Sequence, residues 1–230
     1  MKLQKETSLS ANQHGRWYDD ACGTAFAMEL LGERWSLLVV RELLLGGRRF
    51  SELRRALAGI SAKVLIERLE SLERAGAVRR QMLPPPVSAQ VYELTEWGLA
   101  AEPAIQELGR WAAQSALHDP TLPLSPVSLM ISFRTMLDRE KAQHFDALVG
   151  FAVAGESVLT TLAGGQLTHQ RGPFGQAQVV FRAPAAPLLA AVIYGKVPWR
   201  ALADQRVVVE GDEALAERFI DLFHLPPKLG

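Results

Sequence analysis

Basic side chains are concentrated in one stretch of an otherwise neutral chain. The 230 residues include 25 Lys or Arg and 25 Asp or Glu, so the formal net charge is zero. Between Arg48 and Arg80, however, nine basic residues stand against four Glu, a local excess of five positive charges. Guanidinium and ammonium groups at this density attract phosphates. We therefore expect this stretch to hold a polyanion, with duplex DNA as the first candidate.

The apolar pattern around these charges predicts two short helices separated by a tight turn, followed by a β-hairpin. Ser51 is the expected N-cap of the first helix, and Ser61 is the expected N-cap of the second. Residues 78–83 and 90–94 are expected to be strands. The three prolines at 84–86 cannot donate hydrogen bonds within a sheet, which places them at the hairpin tip. Helix, turn, helix and hairpin is the order of a winged helix-turn-helix.

Flanking elements complete a first domain. Helices are expected over 21–31 and 34–45, and a long helix over 95–117 should kink or restart at Pro103 because proline lacks a backbone donor. A segment with three prolines, 118–126, has no periodicity and is the best domain boundary. The predicted organisation is a flexible leader, a winged-helix domain, a linker and an α+β domain, over 1–18, 19–117, 118–126 and 127–230.

The second domain is expected to be an antiparallel sheet covered by helices. Strand-like runs at 145–154, 158–170 and 177–182 follow a first helix, and helical segments alternate with a short strand to the end of the chain. Two glycines at 164–165 mark a turn or a bulge within the second run.

The N-terminal half contains a set of short motifs spread over residues 22–98. They are Cys22, GERWSLL at 32–38, REL at 41–43, GRRFSEL at 47–53, GIS at 59–61 with Lys63 and Leu65, Arg68 with Leu69, Leu72, AG at 75–76, and YELTE at 92–96 with Gly98. Taken together, these motifs resemble the HxlR family of winged-helix regulators, which is related to the MarR group. This chain has Gly23 and Ala62 where the family usually has proline, so the local turns differ there. The resemblance implies a dimeric, DNA-binding transcriptional regulator.

If this resemblance holds, the second helix of the pair enters the major groove and reads bases. Ile66 would contact a thymine methyl group, and Glu67 would accept a hydrogen bond from cytosine. The alternative is an ordinary solvated face with ion pairs between neighbouring turns. Of Arg79 and Arg80, which point to opposite faces of their strand, one should meet DNA and the other an acid. The DNA-binding candidates are Arg48, Arg49, Ser51, Ser61, Ala62, Lys63, Ile66, Glu67, Arg68, Arg79, Arg80 and Gln90.

The helix over 102–117 is expected to form a homodimer, as it does in the resembled family. Two recognition helices would then lie about one DNA turn apart and require a near-palindromic operator. The alternative is that Trp111 packs against the C-terminal domain of its own chain.

The C-terminal half resembles the sterol-carrier-protein type of domain through the phrase YGK at 194–196 and the segment 201–212. This resemblance implies an apolar tunnel and a small hydrophobic effector, although an apolar stripe of this kind is also typical of ordinary core. The candidate pocket residues are Phe145, Phe151, Leu188, Leu189, Val192, Trp199, Phe219 and Phe223. A lipid carrier whose N-terminal half serves protein assembly is the alternative function.

The remaining chemistry of the sequence is sparse. Cys22 is a candidate redox residue by resemblance, but a cysteine at the start of an apolar helix is usually buried, and Asp19 and Asp20 would oppose thiolate formation. The five histidines lack metal-ligand spacing, and no nucleophile–base pair or phosphate-binding glycine loop is present. We therefore expect no enzyme activity, no metal and no cofactor. The absence of a signal peptide and of a membrane-length apolar run predicts a cytoplasmic protein without a membrane partner.

Overall fold

The computed structural model describes residues 18, 20–86 and 88–229. The predicted leader falls outside these residues except at Tyr18. Within the described ranges, no helix has the length and apolar character needed to cross a membrane.

The N-terminal half has the predicted order of elements, and its boundaries follow from local capping. Ser61 caps α4 as predicted, because its Oγ accepts the Val64 N–H at 3.2 Å. The prediction that Ser51 caps α3 is wrong, since α3 begins at Phe50 and the Glu52 carboxylate accepts the backbone N–H of Arg49 at 2.8 Å. The elements are α1 (Gly23–Leu31), α2 (Ser36–Leu43), α3 (Phe50–Ala56), α4 (Ala62–Arg74), β1 (Val78–Met82), β2 (Gln90–Leu94), α5 (Glu96–Leu99) and α6 (Glu102–Ala113).

Strands β1 and β2 form the predicted antiparallel hairpin. The residue ahead of α3 is tied to this hairpin, because the Arg48 N–H donates to the Tyr92 carbonyl at 2.9 Å and the Tyr92 N–H donates back at 2.8 Å. After the hairpin, Thr95 caps the short helix α5, and a new helix starts with Pro103 in its first turn. The predicted restart at Pro103 is therefore confirmed.

The C-terminal half contains a five-stranded mixed sheet with the order β5-β4-β3-β6-β7. The expected strand over 158–170 is two strands, since the chain turns at Gly164 and Gly165. The elements are α7 (Pro126–Met136), α8 (Arg139–Ala142), β3 (Ala147–Val153), β4 (Glu156–Ala163), β5 (Gln166–Arg171), β6 (Val179–Ala183), α9 (Ala186–Ile193), a 3-10 helix (Trp199–Gln205), β7 (Val208–Gly211) and α10 (Glu213–Ile220).

The prediction of an antiparallel sheet is wrong for its central pair, because β3 and β6 are parallel. After β5 the chain returns to the opposite side of β3, so that β6 enters the sheet in the direction of β3. Phe174 lies on this return segment, against Gly150 of β3. A Cβ atom at position 150 would lie 2.9 Å from the Phe174 ring, so glycine leaves the space that the ring occupies.

Helix α7 packs against both halves of the molecule. It contacts α2 and α6 on one side and β5 and α9 on the other. Its Phe133 joins an aromatic cluster in which the ring centroids of Phe133 and Phe151 are 5.4 Å apart and those of Phe133 and Phe223 are 5.0 Å apart. Because the apolar core is continuous across α7, the division of the chain at 118–126 stays a prediction.

Candidate nucleic-acid interface

Helix α4 separates an apolar face from a solvent-exposed face. Leu65 and Leu69 are buried, whereas Lys63, Ile66 and Glu67 are exposed. The Lys63 side chain is 87% exposed, and its Nζ lies 4.0 Å from a Glu67 carboxylate oxygen. An ion pair this exposed contributes little free energy, so it leaves both side chains available to a ligand.

The first helix of the pair adds a group of exposed basic residues. Arg49 and Ser51 are exposed, as are Arg54 and Arg55 on the next turn. Ser51, Arg54 and Arg55 line one shallow surface depression. Arg54 and Arg55 were not among the predicted contacts, although the helical spacing of Leu53 already places both of them outward.

Both wing arginines are engaged in surface ion pairs. Arg79 Nε lies 2.6 Å from the Glu93 carboxylate across the hairpin. Arg80 lies 3.0 Å from Glu73 on α4 and also sits over the Tyr92 ring. Both arginines thus have the acid partner that was expected of one of them, and both side chains remain exposed, so a DNA contact from either stays a prediction. A phosphate could replace either carboxylate because surface pairs of this kind are weak.

Arg48, by contrast, is not available to DNA. It is 3% exposed, and its Nη2 donates to both carboxylate oxygens of Glu156 at 2.7 and 2.9 Å. A second guanidinium nitrogen, Nη1, lies 3.9 Å from the fully buried Glu42. The prediction of a phosphate contact from Arg48 is wrong, because this side chain joins the helix-turn-helix to β4 of the C-terminal half.

Arg68 is half-buried and is engaged in an ion pair. Its Nη2 lies 3.1 Å from the Glu33 carboxylate, and only 19% of its side chain is exposed. This pair joins α4 to the turn that precedes α2. The phosphate contact from Arg68 therefore stays a prediction. The other predicted positions on α4 and the wing are accessible: Ser61 and Gln90 are exposed, and Ala62 is half-buried.

Three of the predicted pocket residues contact other aromatic rings. The Phe151 and Phe181 rings stack with centroids 5.4 Å apart, and Phe219 lies 4.9 Å from Phe223. At these positions aromatic rings fill the core, and the apolar pocket stays a prediction. Within the predicted set, Leu188 is half-buried, and the buried members are Phe145, Phe151, Leu189, Val192, Trp199, Phe219 and Phe223.

Cys22 is exposed at the N-cap of α1. The expectation of a buried cysteine is therefore wrong. The backbone N–H groups of Ala25 and Thr24 lower the pKa of the Cys22 thiol, because they stabilise the thiolate. Asp20 accepts the backbone N–H of Cys22 at 2.9 Å, and Asp19 lies outside the described residues.

Large apolar side chains are exposed on α1 and α6. Trp111 is 71% exposed, so the alternative that it packs against its own C-terminal domain is wrong. Other exposed large apolar residues are Phe26 and Met28 on α1, Leu108 on α6 and Leu117 beyond its end.

A helix-turn-helix with a two-stranded wing and exposed arginines is the architecture of winged-helix DNA-binding proteins. A family model described as an HxlR-like helix-turn-helix matches residues 30–119. The chain is 41% identical over 88 residues to the HTH-type transcriptional regulator YvaP of Bacillus subtilis, a match that covers 38% of this chain and 82% of YvaP. This chain therefore belongs to the HxlR family of helix-turn-helix transcriptional regulators.

Two further comparisons concern YodB, another HTH-type transcriptional regulator of Bacillus subtilis. The chain is 42% identical to it over 88 residues, covering 38% of this chain and 79% of YodB. The solved reduced form of YodB aligns with 38% identity and a TM-score of 0.39, and covers 44% of this chain and 100% of YodB. The family match ends at residue 119, so the sterol-carrier resemblance of the C-terminal half stays a prediction.

Proposed function

We propose that this regulator binds a specific duplex sequence as a dimer, with α4 in the major groove and the β1–β2 wing beside it. The observation that carries the proposal is the accessibility of the first turns of α4. Lys63 and Ile66 point to solvent while Leu65 anchors the opposite face of the helix. A helix anchored in this way can enter the major groove without unfolding its own core, and its exposed side chains then meet base edges.

The exposed arginines would supply the sequence-independent contacts to DNA in this proposal. Arg49, Arg54 and Arg55 belong to α3 or its N-cap, and Arg79 and Arg80 belong to the wing. Contacts from such residues to phosphates fix the register of a protein on DNA and carry no sequence information themselves. Base reading is therefore assigned to Lys63, Ile66 and Glu67.

Dimerisation is assigned to the exposed apolar surface of α1 and α6. Trp111, Leu108, Phe26 and Met28 would lose their contact with water against a second copy of the same surface. Buried aromatic residues dominate the energy of most protein interfaces. A two-fold dimer would present two copies of α4 to successive major grooves about 34 Å apart.

Selection of binding sites from a random duplex pool tests this proposal. We expect enrichment of a near-palindromic sequence with half-site centres about 10 base pairs apart. Lys63→Ala should reduce the enrichment at the base pairs that Lys63 contacts, whereas Lys141→Ala should preserve it, because Lys141 is an exposed basic residue on α8 of the C-terminal half. Enrichment of no sequence by the wild-type chain would contradict the proposal.

Redox control through Cys22 is a second candidate function, and its exposure at a helix N-cap favours it. Thiolates are the reactive form of cysteine, and a lowered thiol pKa raises their fraction at neutral pH. The rate of alkylation by iodoacetamide as a function of pH measures this pKa. A titration at or above the value of an ordinary thiol would rule the candidate out. Where Cys22 is the sensor, oxidant should change operator affinity in the wild-type chain and leave Cys22→Ser unaffected.

Control by a small hydrophobic effector stays a prediction from the sequence. Such a ligand would have to displace rings of the Phe133, Phe151 and Phe219 cluster, and the lipid-carrier alternative has the same requirement. Mass spectrometry of gently extracted protein tests both ideas. A co-purified apolar compound would support them, and its absence would count against them.

A further inference from the structure

A cavity of about 340 Å³ lies where α6 of the N-terminal half meets α7, the start of α8 and the turn between β4 and β5. Its volume falls in the range of sites that bind small molecules. Glu102 and Gln106 of α6 form one wall, and Arg134 of α7 and Arg139 of α8 form another. The cavity is distinct from the residues assigned to DNA and from the predicted apolar pocket.

The charges around this cavity leave guanidinium donors unused. Arg134 Nη1 donates to Glu102 Oε1 at 2.6 Å, and Gln106 Nε2 donates to the same oxygen at 2.8 Å, so the Glu102 charge is compensated. Arg134 Nε is buried and has no hydrogen-bond partner within the described ranges. Arg139 is exposed and forms no ion pair with any residue that the structure describes. The cavity is therefore electropositive.

The remaining wall adds apolar surface, and a glycine in it lets the β4–β5 turn lie close to Arg139. Leu137 and Leu167 line the cavity beside the arginines, and Thr168 contributes a hydroxyl group. Gly165 has a φ of +71°, and a Cβ atom there would lie 3.3 Å from the Arg139 carbonyl oxygen. Glycine thus allows the β4–β5 turn to approach Arg139 and close this side of the cavity.

We propose that this cavity binds a small organic anion. A carboxylate or phosphate group would be held by Arg139 and by the guanidinium group of Arg134, both of which line the cavity, with a short apolar body against Leu137 and Leu167. Guanidinium groups bind these planar or tetrahedral oxyanions through charge-assisted hydrogen bonds, which are stronger than neutral ones.

A ligand in this position contacts both the helix assigned to dimerisation and the C-terminal half. Binding would favour the arrangement in which these two parts enclose the cavity, and would shift operator affinity if that arrangement differs in affinity for DNA. This regulatory consequence rests on the proposed function, whereas ligand binding itself does not.

Isothermal titration calorimetry of the full chain, without DNA, tests the site. The probes are benzoate, phenyl phosphate and inorganic phosphate, with benzamide as the neutral control. We expect an aromatic anion to bind and benzamide to bind at least about tenfold more weakly. Arg139→Gln should weaken anion binding by about tenfold or more. Lys141→Gln, on the same short helix but outside the cavity lining, should leave it unchanged.

Three results would overturn the proposal: no binding of any anion, equal binding by Arg139→Gln and the wild-type chain, or equal affinity for benzamide and benzoate. Inorganic phosphate binding as tightly as phenyl phosphate would overturn the role of Leu137 and Leu167. Repeating the titration with operator DNA present separates the two proposals. A chain that binds the anion but no DNA sequence would leave this site intact and contradict the proposed function.

Discussion

Arg48 and Arg49 are neighbours in the sequence and have the same side chain, yet they lie in opposite environments. Arg48 is buried and bound to Glu156 of the C-terminal half, while Arg49 is exposed at the N-cap of α3. The first residue belongs to a buried charge cluster between the two halves, and the second belongs to the proposed DNA-binding surface. Local charge density therefore does not distinguish a phosphate contact from a structural ion pair. Burial and the identity of the partner decide the role.

The buried charge cluster consists of the buried Glu42 and Arg48 with the half-buried Glu156 and Arg171, and it joins the helix-turn-helix to strands β4 and β5. Arg171 donates to the backbone carbonyls of Gly46 and Glu42 at 3.4 Å, and its Nε lies 3.6 Å from Glu156. Burial, followed by the nearby Arg48, lowers the pKa of Arg171. The C-terminal half thus contacts the segment that leads into α3, and it does so through β4 and β5.

The largest expected effect comes from breaking this cluster. Arg48→Ala removes the closest partner of Glu156, while the buried Glu42 carboxylate keeps Arg41 at 2.9 Å. We expect the free energy of unfolding to fall by about 1.5–3 kcal/mol, the usual contribution of hydrogen bonds to a charged group. Urea denaturation followed by circular dichroism measures the change.

Arg49→Ala is the matched control for that measurement. Its side chain is exposed, and surface substitutions of this type change stability by no more than about 0.5 kcal/mol. Equal losses of stability in the two variants would erase the distinction between the buried cluster and the exposed surface.

A second effect concerns acid stability and again distinguishes buried from exposed groups. Burial, and then the charge of Arg134, lower the pKa of His169 to about 3, whereas an unfolded histidine titrates near 6.5. The unfolded chain therefore binds the extra proton, so stability that is complete above pH 6.5 is lost as the pH falls toward 3. Between pH 6.5 and 4.5 we expect the free energy of unfolding to fall by about 2 kcal/mol through this residue.

Denaturant unfolding at several pH values isolates the His169 contribution. His169→Asn should flatten the loss of stability over this range, since asparagine keeps a polar group toward Thr160 but does not titrate. The exposed His144 provides the control, and His144→Asn should follow the wild-type curve. A His169→Asn curve parallel to that of the wild-type chain would exclude the burial effect.

Substitutions on the exposed surface should act on DNA binding and spare stability. Lys63→Ala is expected to weaken binding of the selected operator by about 1–2 kcal/mol. The wild-type thermal stability should be retained, because the exposed side chain has no ion pair besides that with Glu67 among the residues that the structure describes. Fluorescence anisotropy with labelled duplex measures the affinity. If Lys63→Ala bound the operator like the wild-type chain, Lys63 would have no part in recognition.

The smallest effect is expected on the wing. Arg79 must exchange its Glu93 partner for a phosphate, so Arg79→Ala should cost no more than about 1 kcal/mol of operator affinity. Glu93→Gln frees Arg79 and should strengthen binding slightly in the same assay. Weaker binding by Glu93→Gln would show that the pair positions Arg79 instead of competing with DNA.

The helix-turn-helix could be predicted from the sequence because its signals are local. The Ser61 cap, the break at Pro103 and the turn at Gly164 and Gly165 depend on neighbouring residues. The burial of Arg48 could not be predicted, because its partner Glu156 lies 108 residues away. The parallel pairing of β3 with β6 could not be predicted from local signals either, since it depends on where the chain crosses the sheet.

The packing of the C-terminal core was also beyond local reasoning. An apolar stripe has the same appearance in the sequence whether its side chains line a cavity or touch one another. The contact of Phe151 with Phe181 is a property of the assembled sheet and helices. In the same way, Arg139 becomes part of a cavity only because β4, β5 and α6 converge on it.

The salt dependence of operator affinity tests the central claim most directly. Each phosphate contact should contribute about −0.9 to the slope of log K against log salt concentration, so the wild-type chain should show a steep slope. Arg49→Ala should reduce its magnitude by about 0.9, while Arg48→Gln, measured where circular dichroism shows it folded, should leave it unchanged. A flat response in the wild-type chain, or an equal reduction by Arg48→Gln, would contradict the division between the buried cluster and the DNA-binding surface.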